Sequence, residues 1–155
     1  MRSKVGIAVL AIVLLIAASM ALDSMVVTDE EALDQLWEDL VQALADEDTA
    51  TVGRLFLPPM TYRGPSPMRA GDRDKALKRL DEFFEIANNT KVTATREITV
   101  QGGNIGVIKA DGHIRFEYGD GAILYKMTTE VAALNSADGW RVQSIQVSEL
   151  NPGLF

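Results

Sequence analysis

The chain of 155 residues has no cysteine and a single histidine, His113. Without thiols it can form no disulfide, thiolate metal site, iron–sulfur cluster, thiol nucleophile or lipidated cysteine. One imidazole excludes any multi-histidine metal centre, and neither a metal nor a cofactor is expected. Basic residues are scarce as well: 15 Lys and Arg stand against 22 Asp and Glu, for a net charge of −7. A nucleic-acid partner needs a basic face to neutralise its phosphates, so that class is set aside. Internal repeats and low-complexity tracts are absent. The glycine pairs are followed by no helix, so they are turns and not phosphate loops. No serine lies in a nucleophile-elbow pattern. What is present is a hydrophobic fraction of 47%, enough for the core of one ordinary domain.

Part of that fraction belongs to the N-terminus. Arg2 and Lys4 precede an uncharged apolar run from Val5 to Leu22, closed by Asp23. A basic start, an apolar stretch and small residues (Ser19, Ala21) have the layout of an export signal cut after Ala21. The alternative is an uncleaved anchor through residues 5–22, a run of 18 residues against the ~20 a spanning helix needs. Both readings place the domain outside the cytoplasm, either periplasmic or secreted, or held at the inner membrane. The organisation expected is an export segment or anchor at 1–21, a linker at 22–27 and one domain at 28–155. Loss of residues 1–21 removes two basic groups and no acid, leaving 13 basic and 22 acidic side chains, or −9.

The domain begins helical. Thr28 and Glu31 have the spacing of a capping box. Leu33, Leu36, Trp37, Leu40, Val41 and Leu44 recur at three and four residues, which predicts one long amphipathic helix. Thr49 or Thr51 is placed to cap a short second helix with Val52, Leu55 and Phe56. Residues 58–71 hold Pro58, Pro59, Gly64, Pro65, Pro67 and Gly71, a density that predicts an ordered crossing loop. Asp72 or Asp74 starts a third helix, with Leu77, Leu80, Phe83, Phe84 and Ala87 as its buried stripe. Asn88-Asn89 is read as its C-cap.

From Lys91 the period becomes two. Val92, Ala94, Arg96, Ile98 and Val100 share one strand face. Turns follow at Gly102-Gly103, Gly119-Asp120-Gly121 and Asp138-Gly139. A parity slip from Val142 to Ile145 predicts a bulge near Gln143-Ser144. Asp111-Gly112 is read as a glycine bulge within one long strand, with a hairpin turn as the alternative. The result is an α+β fold: three N-terminal helices packed on a curved antiparallel sheet of four strands.

Residues 28–150 resemble the nuclear-transport-factor-2-like superfamily, in its SnoaL-like group. The likeness rests on the order of elements and on local phrasing. Leu40-Val41-Gln42-Ala43-Leu44-Ala45-Asp46-Glu47-Asp48 resembles the family's first-helix ending. Gly139-Trp140-Arg141-Val142, followed by Ile145 to Ser148, resembles its closing strand. The resemblance implies a sheet curled into a cone, a pocket at the open end and sheet-to-sheet homodimers. Members include isomerases, dehydratases, hydrolases and polyketide cyclases beside domains without activity, so fold alone does not assign function.

Candidate site residues follow from parity. Histidine is the side chain most often used for proton transfer near neutral pH, but His113 shares its face with Lys109, Asp111, Arg115 and Glu117, a solvated surface. Arg96 lies in an apolar row, where a charge needs a partner: an anionic ligand, an internal carboxylate or water at the rim. Tyr118, Tyr125 and Thr129 share the apolar parity and could offer hydroxyls to a ligand or to the core. Tyr62 and Arg63 precede the third helix near the cone mouth, and Met60, Met68 and Met127 could line it. The ligand-binding set is therefore Arg96, Tyr62, Tyr118, Tyr125 and Thr129, with no catalytic residue assigned.

The inward parity of the first three strands holds no carboxylate and no histidine. An exported, non-catalytic domain that binds a small apolar or weakly anionic molecule, or a protein partner, is therefore expected. The alternatives are a lyase- or isomerase-type enzyme with a cone-shaped active site and a membrane-anchored assembly subunit.

Overall fold

The computed structural model describes residues 27–65 and 69–152. The export segment expected at 1–21 and Met68 lie outside the described residues. Helix α1 spans Asp29–Ala45, helix α2 Thr49–Leu55 and helix α3 Arg73–Phe84. The strands are β1 (Phe56–Arg63), β2 (Ala70–Asp72), β3 (Asn88–Gln101), β4 (Ile105–Tyr118), β5 (Gly121–Ser136) and β6 (Gly139–Pro152). They form one sheet in the order β2-β1-β6-β5-β4-β3.

Local chemistry accounts for the helices. The capping box is present: Glu31 N donates to Thr28 Oγ1 at 3.2 Å, and Thr28 N donates to Glu31 Oε2 at 2.9 Å. Asp29, Glu30 and Glu31 place negative charge where the helix dipole favours it. Of the predicted stripe Leu33, Leu36, Trp37 and Leu40 are buried, with Ala43 beside them, while Val41 and Leu44 are half-buried. Glu47 at φ 57° turns the chain, and Asp48, not Thr49 or Thr51, caps α2 by accepting from Thr51 N at 2.9 Å. Asp72 caps α3 by accepting from Lys75 N at 3.0 Å. Asn88 opens β3 and is no helix cap, although Asn89 does take a left-handed conformation at φ 53°.

The core joins α1 to the sheet. Leu33, Leu36, Trp37 and Leu40 pack with Val52, Phe56, Met60, Ile108, Val131, Trp140 and Val142. At ~25 cal/mol per Å² of apolar surface removed from water, this contact is the main force holding the helix on the strands.

Three expectations need correction. The sheet has six strands, not four. It is mixed, because β1 runs parallel to β6. The helices are not all N-terminal, since β1 and β2 precede α3. The error lies in residues 58–71, where the proline density reads as a loop. Proline lacks the N–H a ladder requires, which confines it to sheet edges and bulges. Here the β1–β6 register is interrupted between Phe56 and Thr61, the stretch that contains Pro58 and Pro59. Beyond it Thr61, Tyr62 and Arg63 pair with Ser144, Ile145 and Gln146, and with Asp72, Gly71 and Ala70 on the other side.

The predicted bulge near Gln143 is present: Ala132 pairs with Ser144 and Ala133 with Val142. Gly112 is neither bulge nor turn, because it pairs regularly with Ala94 and Met127. A Cβ there would lie 2.0 Å from the Thr93 carbonyl oxygen. Glycine thus lets β3 and β4 approach more closely than any side chain would permit.

Candidate functional site on the concave face

Cross-strand register stacks the inward residues of β3, β4 and β5 in rows. Val92, Ile114 and Tyr125 form one row; Ala94, Gly112 and Met127 the next; Arg96, Ala110 and Thr129 the third; Ile98, Ile108 and Val131 the fourth. The fourth row belongs to the core, with Ile108 and Val131 at 1% exposure. Toward the other end the rows become wetter. Ala94, Gly112, Ile114, Tyr125 and Met127 are only half-buried.

Helix α3 packs against β1, β2 and α2 and reaches β4 through Phe83. Its apolar side carries Leu77, Leu80, Phe83 and Phe84, yet none of its residues is buried. Only Ala87, beyond the helix, is fully enclosed. Phe83 meets Phe116 edge to face at 4.9 Å between ring centroids, and Phe116 lies 6.2 Å from the nearly parallel ring of Tyr125. These rings form an aromatic wall beside the small-residue row. Leu77 and Leu80 on the helix, and Ala94 and Met127 on the sheet, form a half-buried apolar margin packed against the core.

Arg96 is committed within the protein. Its Nε donates to Asp34 Oδ1 at 2.6 Å, and its Nη2 donates to Glu38 Oε1 at 2.6 Å. Asp34 and Glu38 are four residues apart on α1, so one guanidinium clasps one helix face. The hydrogen bond from Arg96 holds the Asp34 carboxyl below the usual carboxylate range, against the opposing effect of burial. The same bond raises Arg96 above its ordinary value. Of the partners open to it from sequence, the internal carboxylate is the one present.

The other predicted residues do not converge. Tyr125 and Thr129 lie on the concave rows, Thr129 buried and Tyr125 half-buried. Tyr118 ends β4 and is 53% exposed. Tyr62 is on β1, buried beneath Gly71, with the Arg79 guanidinium 5.8 Å from its ring centroid. Met60 fills the core and Met127 lines the concave face. His113 is exposed on the opposite face, as its parity indicates.

Among the described residues two buried hydroxyls have no hydrogen-bond partner, those of Tyr62 and Thr90. Thr90, at 3% exposure, lies at the start of β3. Sequence reasoning missed it because Thr90 falls at the helix-to-strand junction, before the alternating pattern is established. Among the described residues the inward positions of β3, β4 and β5 carry no aspartate, glutamate or histidine. The arrangement can exclude water from an apolar molecule and offer it hydroxyls, but these strands supply no proton acceptor stronger than a hydroxyl.

The sequence matches no family model and no curated protein. Solved structures do share the fold. A conserved protein from Planctomyces limnophilus superposes with a TM-score of 0.74 at 15% identity, over 81% of this chain and 98% of its own. A candidate dehydratase of the nuclear-transport-factor-2-like family from Streptomyces avermitilis gives 0.70 at 16% identity, over 82% and 97%. A ketosteroid isomerase-like protein from Erwinia carotovora atroseptica gives 0.67 at 12% identity, over 77% and 95%. At these identities the likeness concerns the backbone alone: three helices on a curved mixed sheet, the nuclear-transport-factor-2-like fold.

Proposed function

We propose that the domain binds one small, largely apolar molecule carrying a hydrogen-bonding group, on the concave face beside α3, without transforming it. The observation that carries this reading is the absence of any buried residue in α3, although Leu77, Leu80, Phe83 and Phe84 form an apolar side. A helix that packs only to complete a core buries such a stripe. Half-buried apolar surfaces with a few hydroxyls are the usual makings of a small-molecule site. Thr90, Tyr125 and Thr129 supply the hydroxyls.

The neighbours described as a candidate dehydratase and as isomerase-like support a small-molecule use of this fold. Lyase or isomerase chemistry would need a poised proton acceptor. The carboxylates nearest the concave rows, Asp34 and Glu38, are both held by Arg96. Export through residues 1–21 belongs to the same proposal, and N-terminal sequencing of the mature protein tests it. So does homodimerisation through the outer sheet face; sizing in solution tests it.

The concave site is tested by native mass spectrometry of the full chain and by uptake of a neutral solvatochromic dye. A retained apolar adduct, or saturable dye uptake, is expected, and the variant Ala94→Phe should abolish either one. Dye uptake that Ala94→Phe leaves unchanged would place the ligand elsewhere.

A further inference from the structure

The outer face of the sheet carries two opposed charge patterns on the same three strands. In one row Glu97, Lys109 and Glu130 are cross-strand neighbours, so the cation lies between two anions. Two rows along, Thr93, His113 and Lys126 are neighbours. In the row after that Lys91 lies directly opposite Arg115, with Leu124 beyond. Like charges opposite one another on a sheet face destabilise it, where opposite charges stabilise. The chain therefore sets a cation between two anions in one row and Lys91 against Arg115 in another.

Among the described residues, Lys91, Arg115 and Lys126 enter no ion pair. Two of the flanking carboxylates are engaged by neutral donors, and a third, Asp120, shares an adjoining depression with Arg115. Asp111 accepts from Thr128 Oγ1 at 2.7 Å, and Glu117 accepts from Asn89 Nδ2 at 2.7 Å. The surface is concave at this place: Lys91, Thr93, His113, Arg115 and Leu124 line a depression of about 330 Å³. All this occurs on a protein of net charge −7.

We propose that this depression is a binding site for a small soluble phosphate-type oxyanion, separate from the concave site. Arg115 supplies a planar fork suited to two oxygens, Lys91 a point charge and Thr93 a hydroxyl. Leu124 offers an apolar floor for the group that bears the anion. The depression is at the lower end of small-molecule pocket sizes. Burying the same unpaired cations against a second copy of the chain would instead incur their desolvation cost.

The test is calorimetric titration and thermal unfolding of the full chain with sodium phosphate and phenyl phosphate, at ionic strength held constant with sodium chloride. Saturable binding is expected, with a rise in midpoint temperature that chloride does not reproduce. The double variant K91Q/R115Q should weaken binding by about tenfold or more, since each lost charge-assisted contact is worth over ~1 kcal/mol. Lys109→Gln, in the row where the cation lies between Glu97 and Glu130, should leave it unchanged. An absence of saturation, an equal response to chloride, or retention of binding in K91Q/R115Q would each overturn the site. Phosphatidylglycerol vesicles provide the remaining arm. Co-sedimentation with them, without any response to free phosphate, would mean that the cations meet a membrane surface and that the small-ligand proposal is wrong. Uptake of a neutral dye by the concave face reports separately, so failure of one proposal does not imply failure of the other.

Discussion

Arg96 on β3 donates its Nε proton to Asp34 on α1 at 2.6 Å, joining residues that are 62 positions apart in the chain. Glu38, one helical turn further, takes the other side of the guanidinium. A cation in an apolar strand row thus fastens α1 to the concave face of the sheet.

Substituting Arg96 by Met should lower stability. The side chains are 22%, 47% and 53% exposed for Arg96, Asp34 and Glu38, so solvent screening limits the loss to about 1 kcal/mol. Urea unfolding of R96M, D34N and the double variant would measure it. A coupling energy of zero in that cycle would mean that the clasp contributes nothing.

Acid should release the same clasp. Asp34 has a folded-state pKa below its unfolded one. Its contribution is therefore complete above the ordinary aspartate range and is lost as pH falls through the depressed folded value. The urea midpoint of the natural chain should fall more steeply between pH 5 and pH 3 than that of D34N. Parallel pH profiles would contradict this.

Two glycines should respond differently to a methyl group. At Gly112 the added Cβ meets the Thr93 backbone oxygen at 2.0 Å, whereas at Gly106 it meets the Leu33 side chain at 2.5 Å. A backbone cannot move aside as a side-chain tip can, so Gly112→Ala should cost about 3 kcal/mol or more, and Gly106→Ala less. Thermal unfolding midpoints would rank them, and a milder G112A would be inconsistent with the close strand approach.

The unpartnered hydroxyls make a further distinction. Removing a hydrogen-bonded hydroxyl destabilises, but removing one that is buried and unsatisfied should be neutral or stabilising by up to ~1 kcal/mol. Thr90→Val and Tyr62→Phe should therefore keep or raise the melting temperature. If Thr90 serves the concave ligand, T90V should also weaken ligand retention in native mass spectrometry, while Y62F should not.

Whatever depends on residues close in the chain was legible from sequence. Thr28 and Glu31 are three apart, and their capping box follows from helix geometry. The stripe from Leu33 to Leu40 and the alternation from Val92 to Val100 report a 3.6-residue and a 2-residue period. The slip at Gln143 was visible as a change of parity. The concave residues Tyr125, Met127 and Thr129 were found because parity decides which sheet face they occupy.

Tertiary structure decided the rest, for reasons of range. Pro58 and Pro59 read as a loop because the partner of β1, strand β6, lies some 80 residues later in the chain and forms a parallel pairing interrupted opposite them. The choice between ligand, carboxylate and water for Arg96 could be made only by α1 arriving over β3. Nothing in local spacing shows that Lys91 faces Arg115, or that α3 leaves its apolar side half-exposed. The sequence by itself determined which residues form each element and which face each residue takes. Only packing determined which faces meet, which charges find a partner and where space for a ligand is left, because those follow from contacts between segments distant in the chain.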